Sequence, residues 1–324
     1  MLTRRGLGQL AAGAVLGRGV PARAQAFPER PVRMLIGFPP GGTVDTVGRV
    51  IAPPISERLG QPLVIENRSG AAGVLAVEAV ARGQPDGYTI AFASASALVI
   101  VPHMQAGLRY DPVKDLAPIS RVVSTPMLLV VGKHVRANSV KELVELAKAS
   151  PGKLTFGSTG NGSTLHLAGE LFKLRAGADI LHVPYRGGAP AVTGVLAGEI
   201  DMLLVDIPVV VAHVQSGAFK ALGLAADRRS PVLPDVPTVA EAGIPGVIAE
   251  GWYALYAPAG TPARIIDILQ HAVADTLAQP ATQQAIIGLG GVVQSSSPQG
   301  LAEYQRTEYA KWGEVVRASG ASMN

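Results

Sequence analysis

The sequence predicts an α/β fold in which parallel-rich sheets, flanked by helices, form two lobes with a ligand cleft between them. Three observations carry this. β-rich and amphipathic stretches alternate along almost the whole chain of 324 residues, the pattern of strands joined by crossover helices. The roughly 300 residues left after a leader fit two domains of ordinary size. Two strand–glycine loop–helix units, IGFPPGGTVD at 36–45 and FGSTGNGST at 156–164, stand at comparable places in the two halves. In open α/β sheets a ligand lies beyond the carboxyl ends of strands, where the next helix begins. Two such sites facing one another make a clamp.

The elements follow in order. Pro31–Gly37 (PVRMLIG) is a short β-rich run, followed by FPPGG and a helical pattern over TVDTVGRVIAPPISERLG. Pro53-Pro54 interrupts that pattern and predicts a kink or break. PLVIEN, AAGVLAVEAVARG and YTIAFAS continue as strand, helix, strand. Ser139 with Glu142 is a capping box opening SVKELVELAKAS, whose Val140, Leu143, Val144 and Leu146 share a face. KLTFGS is a strand, and Ser163 caps the helix that follows, with Leu165, Leu167, Leu171 and Phe172 as apolar positions. DILHVPY, a helix around APAVTGVLAG, DMLLVD and FKALGLAA come next. Thr238 and Glu241 form another capping box after a Pro-rich stretch, and GWYALYAP is a further strand. Thr261-Pro262 and Ser297-Pro298 open the last two long helices.

Residues 1–26 (MLTRRGLGQLAAGAVLGRGVPARAQA) are set aside from the fold. Arg4 and Arg5, an apolar stretch and Ala24-Gln25-Ala26 make a secretory signal with a small-x-small cleavage site, by the general or the twin-arginine route. The product is expected to be exported. The whole chain carries +4, from 28 basic and 24 acidic residues. Arg4, Arg5, Arg18 and Arg23 all fall in the leader, so the remainder holds 24 of each sign and is neutral. No Lys/Arg-rich run remains to track phosphates, and nucleic acid is excluded as a partner. Cysteine is absent, which removes thiolate zinc sites, iron–sulfur clusters and thiol catalysis. No cofactor or metal is expected.

GSTGNGST, at 157–164, has the glycine spacing of a phosphate-binding loop, but Ser163-Thr164 stands where Lys-Ser/Thr is required. That lysine holds phosphates, so the nucleotide reading fails. A helix start still offers unpaired N–H groups and roughly half a positive charge. Glycines let the backbone approach, and Ser158, Thr159, Ser163 and Thr164 add donors, as Gly41, Gly42 and Thr43 do in the first loop. A carboxylate suits such a site. Asp45, in the first helical turn, complements the dipole or touches ligand. Asp206, ending DMLLVD, either accepts from a ligand hydroxyl or amine or caps the helix at Ile207-Pro208. His166 donates to an anion or simply packs. Arg186, after a strand end, is the one cation placed to reach a ligand.

Catalytic signatures are lacking. The sequence contains no G-x-S-x-G and no H-E-x-x-H, and its six histidines are scattered at 103, 134, 166, 182, 213 and 271. Binding without chemistry is the expectation, against the rival of an exported α/β hydrolase.

Stretches along the whole mature chain carry a family resemblance: FPERPVRMLIGFPPGGTVD, GQPLVIENRSGAAG, PDGYTIAFAS, PGKLTFGSTGNGSTLHLAGELFK, HVPYRGGAPA and LPDVPTVAEAGIPG. The chain resembles the tripartite tricarboxylate transporter substrate-binding proteins, the Bug family. The resemblance implies a monomeric type II periplasmic binding protein that delivers a small carboxylate to membrane permease subunits, with no catalysis. It implies lobes of 27–124 plus 228–324 and of 125–227, joined by two backbone crossings. The family's ligand-binding positions fall on Phe38, Gly42, Thr43 and Asp45 in the first loop, and on Ser158, Thr159, Asn161 and Ser163 in the second. His166, Tyr185 and Asp206 are weaker carry-overs, and Ser94 and Ser96 follow the strand YTIAFA where its end faces the cleft. Two departures lie near the cleft: VPHMQAGLRYDP, and Val205-Asp206 where relatives have Phe-Asp. A ligand-sensing subunit of a membrane signalling protein would share the fold.

Overall fold

The computed structural model describes residues 27–323, and the leader predicted at 1–26 lies outside them. The first lobe begins β1 (Val32–Ile36), α1 (Thr43–Leu59), β2 (Leu63–Asn67), α2 (Val74–Ala81), β3 (Thr89–Ser94). A π-helical turn over Ser96–Ile100 and the short α3 (Val101–Met104) then lead to β4 (Leu116–Gly132). The second lobe holds α4 (Val140–Ala149), β5 (Thr155–Ser158), α5 (Thr164–Ala176), β6 (Leu181–Pro184), α6 (Gly188–Ala197), β7 (Met202–Asp206), α7 (Ile207–Gln215) and β8 (Phe219–Ala225). The chain returns through β9 (Glu250–Pro258), α8 (Ala263–Leu277), α9 (Pro280–Gly288), β10 (Val292–Val293) and α10 (Pro298–Ser319).

Strand β4 belongs to both lobes. Its residues up to Pro126 pair antiparallel with β9, and from Met127 onward it pairs with β7 and β8. The strand order is β2-β1-β3-β9-β4-β7-β5-β6, with β8 and β10 also on β4. Each lobe keeps the expected parallel trio, β2-β1-β3 in one and β6-β5-β7 in the other. The antiparallel pairings all involve β4 or β9. They arise because the chain crosses from lobe to lobe on these strands instead of looping back through a helix.

The second crossing lies later than the sequence reading placed it. Leu233, Val239, Val247 and Ala249 pack in the second lobe's core, and Leu224 bridges to Thr238. The chain leaves that lobe at Ala249–Glu250, beside the Pro126–Met127 step of β4. The Pro-rich composition at 231–237 marked a loop within the lobe and not its boundary.

Two further expectations change. Helix α1 runs unbroken through Pro53 and Pro54. Each proline removes the bond its N–H would make four residues back, to the carbonyl of Arg49 or Val50. Pro53 and Arg49 lie on the exposed side, where water replaces the lost partner, while Ile51, Ala52 and Ile55 stay buried. The box at Thr238–Glu241 closes fully, with Glu241 N–H donating to Thr238 Oγ1 (3.0 Å) and Thr238 N–H to Glu241 Oε2 (2.7 Å). No helix follows, because Gly243 at φ +97° and Pro245 stop the turn. At Ser139 the cap holds, whereas Glu142 reaches Asn138 N–H in place of Ser139 N–H.

The first lobe has a core on each face of its sheet. One is built on α1 and α8, the other on α2, the π-helical turn and α10. In the latter, Trp252 and Trp312 are fully buried and both indoles donate to Glu308 Oε2, at 3.2 and 3.0 Å. Trp312→Ala is expected to cost about 3–5 kcal/mol of unfolding free energy by urea titration, because it opens a large cavity and removes one of the two indole donors to the buried Glu308, whose other oxygen takes Lys311 Nζ at 3.2 Å.

Candidate functional site

The two glycine loops end at helix starts and are locked from behind in the same manner. In the first, Gly41 adopts φ +85°, a conformation open to glycine, and its N–H donates to Asp45 Oδ2 at 3.0 Å. Asp45 is buried and also accepts from Arg49 Nε (2.9 Å) and Nη2 (3.0 Å) and from Asn67 Nδ2 (3.0 Å). Burial pushes its carboxyl up, but the Arg49, Asn67 and Gly41 bonds outweigh this and hold it below the usual aspartate value. In the second loop, Gly162 at φ +76° donates its N–H to His166 Nδ1 at 3.2 Å. His166 stacks on His182, with ring centroids 4.0 Å apart. His182 Nε2 lies 2.7 Å from Ser158 Oγ, which also bonds Gly160. In both loops a side chain one turn into the helix fixes a glycine amide.

Asp45, Ser158, Ser163 and His166 therefore serve the frame, and the structure does not place them at the cavity wall. Ser163 caps α5 by accepting from His166 N–H at 3.2 Å. Asn161, Tyr185 and Arg186 line an adjoining, wider pocket together with Gly37, Pro39 and Ala71, which shares Phe38 and Thr159 with the cavity. Asp206 makes no cap bond to α7, so the capping alternative falls.

The cavity itself, within about 430 Å³ of open space that includes its mouth, gathers strand ends and helix starts from both lobes. The first loop and α1 bring Phe38, Gly42, Thr43 and Val44, and the end of β3 brings Ser94 and Ser96. From the other lobe come Thr159, Thr164 and Leu165, Gly188 at the start of α6, and Val205, Asp206 and Val209. Tyr253 of β9 completes the wall. The starts of α1 and α6 have no side-chain cap, so their first amides are left for a ligand. Across the cleft, Ser96 Oγ and Thr164 Oγ1 are 3.0 Å apart, and Thr164 N–H donates to Ser96 Oγ at 3.0 Å.

Among the described residues no lysine, arginine or histidine lines this cavity, and Asp206 and Tyr253 are its titratable groups. Tyr253 donates its hydroxyl to Asp206 Oδ2. Burial pushes the Asp206 carboxyl up, against the hydrogen bonds of its neighbours, and pushes the Tyr253 hydroxyl well above its ordinary value. Sequence reasoning named Phe38, Gly42, Thr43, Ser94, Ser96, Thr159 and Asp206 of this wall. It also named Thr164 as a donor, and it missed Val44, Leu165, Gly188, Val209 and Tyr253. The second glycine of YRGGAP was a readable helix start, whereas Tyr253 reaches the cavity only through the lobe crossing.

A family model described as "Tripartite tricarboxylate transporter family receptor" matches residues 47–321. The chain belongs to that family. Protein BugT of Bordetella pertussis is 36% identical over 311 residues, covering 96% of this chain and 95% of BugT. Among solved structures, R. palustris Rpa4515 with adipate has TM-score 0.89 at 33% identity, covering 91% of this chain and 99% of that one. The periplasmic binding protein BugD gives 0.87 at 32%, covering 91% and 99%. MatC from Rhodopseudomonas palustris with bound malate gives 0.85 at 33%, covering 90% and 100%. The chain is a solute-binding protein of the periplasmic binding class and not an enzyme. Among the described residues no helix is long and apolar enough to cross a membrane.

The stacked histidines set a pH limit. Burial holds His166 down to about 4 and His182 down to about 3, with Lys173 and the neighbouring ring adding to the effect. Unfolded, both titrate at the ordinary 6.5. Their neutral forms thus stabilise the fold fully above that value, and the contribution is lost as pH falls through 6.5 towards 4 and 3. Urea midpoints measured at descending pH should fall across this range, and His166→Gln should flatten the decline.

Proposed function

We propose that this chain captures a small carboxylate in the cleft and delivers it to the membrane subunits of a tripartite tricarboxylate transporter. One observation carries the reading. The uncapped starts of α1 and α6 and the Thr43, Ser94 and Thr164 hydroxyls border a cavity that, among the described residues, no basic side chain lines. Neutral donors and helix ends suit a carboxylate, whereas a phosphate chain demands more positive charge. Relatives of the same architecture hold adipate and malate, and the family is named for the transporter receptor. Apolar Phe38, Val44, Leu165, Val205 and Val209 share the wall, so the acid's carbon chain is met by hydrocarbon.

In this reading residues 1–26 direct export to the periplasm, by the Sec or the twin-arginine route. The two lobes act as one monomeric clamp, with Tyr185 and Asn161 in the adjoining pocket. Hydrogen bonds to a charged ligand group contribute about 1.5–3 kcal/mol each. Thr43→Val and Thr164→Val are each expected to weaken binding about tenfold to a hundredfold, read by calorimetry with the acid that most raises the melting temperature. Unchanged affinity in both variants would remove the helix-start site from the proposal. The ligand should be recovered chemically intact.

A further inference from the structure

Two polar atoms buried at the cleft wall have no hydrogen-bond partner, Ser94 Oγ and Asp206 Oδ1. Both residues line the cavity, and Asp206 is only 2% exposed. The other carboxyl oxygen, Oδ2, is already taken by the Tyr253 hydroxyl. Thr125 stands beside the carboxyl but turns its own hydroxyl to the Gly251 carbonyl at 3.3 Å. Gly251 packs so closely that a Cβ there would lie 2.5 Å from Oδ1. The carboxyl is thus pinned by Tyr253 in a residue that lines the cavity, while Oδ1, packed against Gly251 and beside Thr125, is left without a hydrogen-bond partner.

We propose that Asp206 carries a proton on Oδ1 and donates it to the carboxylate of the ligand, so that the site selects organic acids without an adjacent ammonium group. The inference rests on the carboxylate-binding reading above. Two carboxylates meeting in a cavity without a cation cannot both be ionised. The charged and titratable groups around Asp206 offer no alternative counter-charge. From β9, Tyr253 faces it and donates. Glu250, earlier on that strand, is coupled to Lys311, Arg121, Glu308 and Asp227. On α1, Thr43 faces it, while Asp45 and Arg49 are bound to one another. On β4, Thr125 is neutral. Burial already raises the carboxyl's affinity for its proton, and a bound anion raises it further. An amino-acid ligand would call for the opposite arrangement, an ionised Asp206 accepting from its ammonium.

The test uses the full mature chain and a panel of benzoate, adipate, malate, citrate and L-glutamate. The tightest ligand is titrated calorimetrically between about pH 5.5 and pH 9, in two buffers of different ionisation enthalpy. The expected result is an organic acid whose Kd rises with pH, approaching tenfold per unit, with up to one proton taken up per ligand. Asp206→Asn should keep affinity within about threefold at the acid end and abolish the pH dependence. A carboxylate whose Kd is flat across this range, with no proton uptake, overturns the proton assignment and leaves carboxylate binding intact. So does L-glutamate as the tightest ligand with its affinity lost in Asp206→Asn. If no member of the panel binds, the carboxylate reading itself fails and takes this inference with it. The wild-type profile decides the matter even if the variant does not fold.

Discussion

The architecture depends on one strand satisfying hydrogen bonds in two sheets. Every backbone amide and carbonyl that leaves water has to be paired, and β4 meets that demand in the first lobe up to Pro126 and in the second from Met127. The return crossing at Ala249–Glu250 runs alongside, with Met127 N–H donating to the Ala249 carbonyl at 3.2 Å. The two sheets are therefore anchored edge to edge at one line. What stands on that line is fixed relative to both: Thr125, Gly251 and, two residues on, Tyr253. Asp206 comes to it from the end of β7, paired with Met127. The cavity forms where the strands of both lobes end above this seam.

Charge is managed by keeping it out of reach of the ligand. The loops need anchoring groups, and Asp45 with Arg49 and Asn67 does this in one lobe, while the neutral His166–His182 stack does it in the other. Both anchors sit behind the glycine turns. The ligand side is left to amides and hydroxyls, whose partial charges sum to an anion site without a counter-ion. The acid groups in front and behind have opposite fates for the same reason. Asp45 is surrounded by donors and stays ionised, whereas at Asp206 burial outweighs the neighbouring hydroxyls and raises the carboxyl's affinity for its proton.

Much of this was legible in the chain itself. Alternation of strand and helix, the Ser139 and Ser163 caps and both glycine loops follow from local patterns that tertiary packing does not override. The residues at Phe38–Thr43 and Ser94–Ser96 were readable because strand ends and helix starts mark the ligand side of such sheets. Side-chain direction was not readable. Asp45 and His166 each lie in a first helical turn, where sequence allows a ligand contact or a bond back to the loop. The choice is made by Asn67 and His182, more than a dozen residues away in each case. Tyr253 was hidden for a related reason, since its place at the cavity depends on where the chain recrosses.

The contact across the cleft is built from Ser96 and Thr164, two uncharged groups. Such a bond contributes about 0.5–1.5 kcal/mol net, since water replaces either partner on separation. An ion pair at this spot would weaken with added salt; two hydroxyls and an amide do not. In a compartment whose salt content follows the surroundings, the contact that joins the two lobes over the cavity would thereby hold equally well in dilute and in salty media.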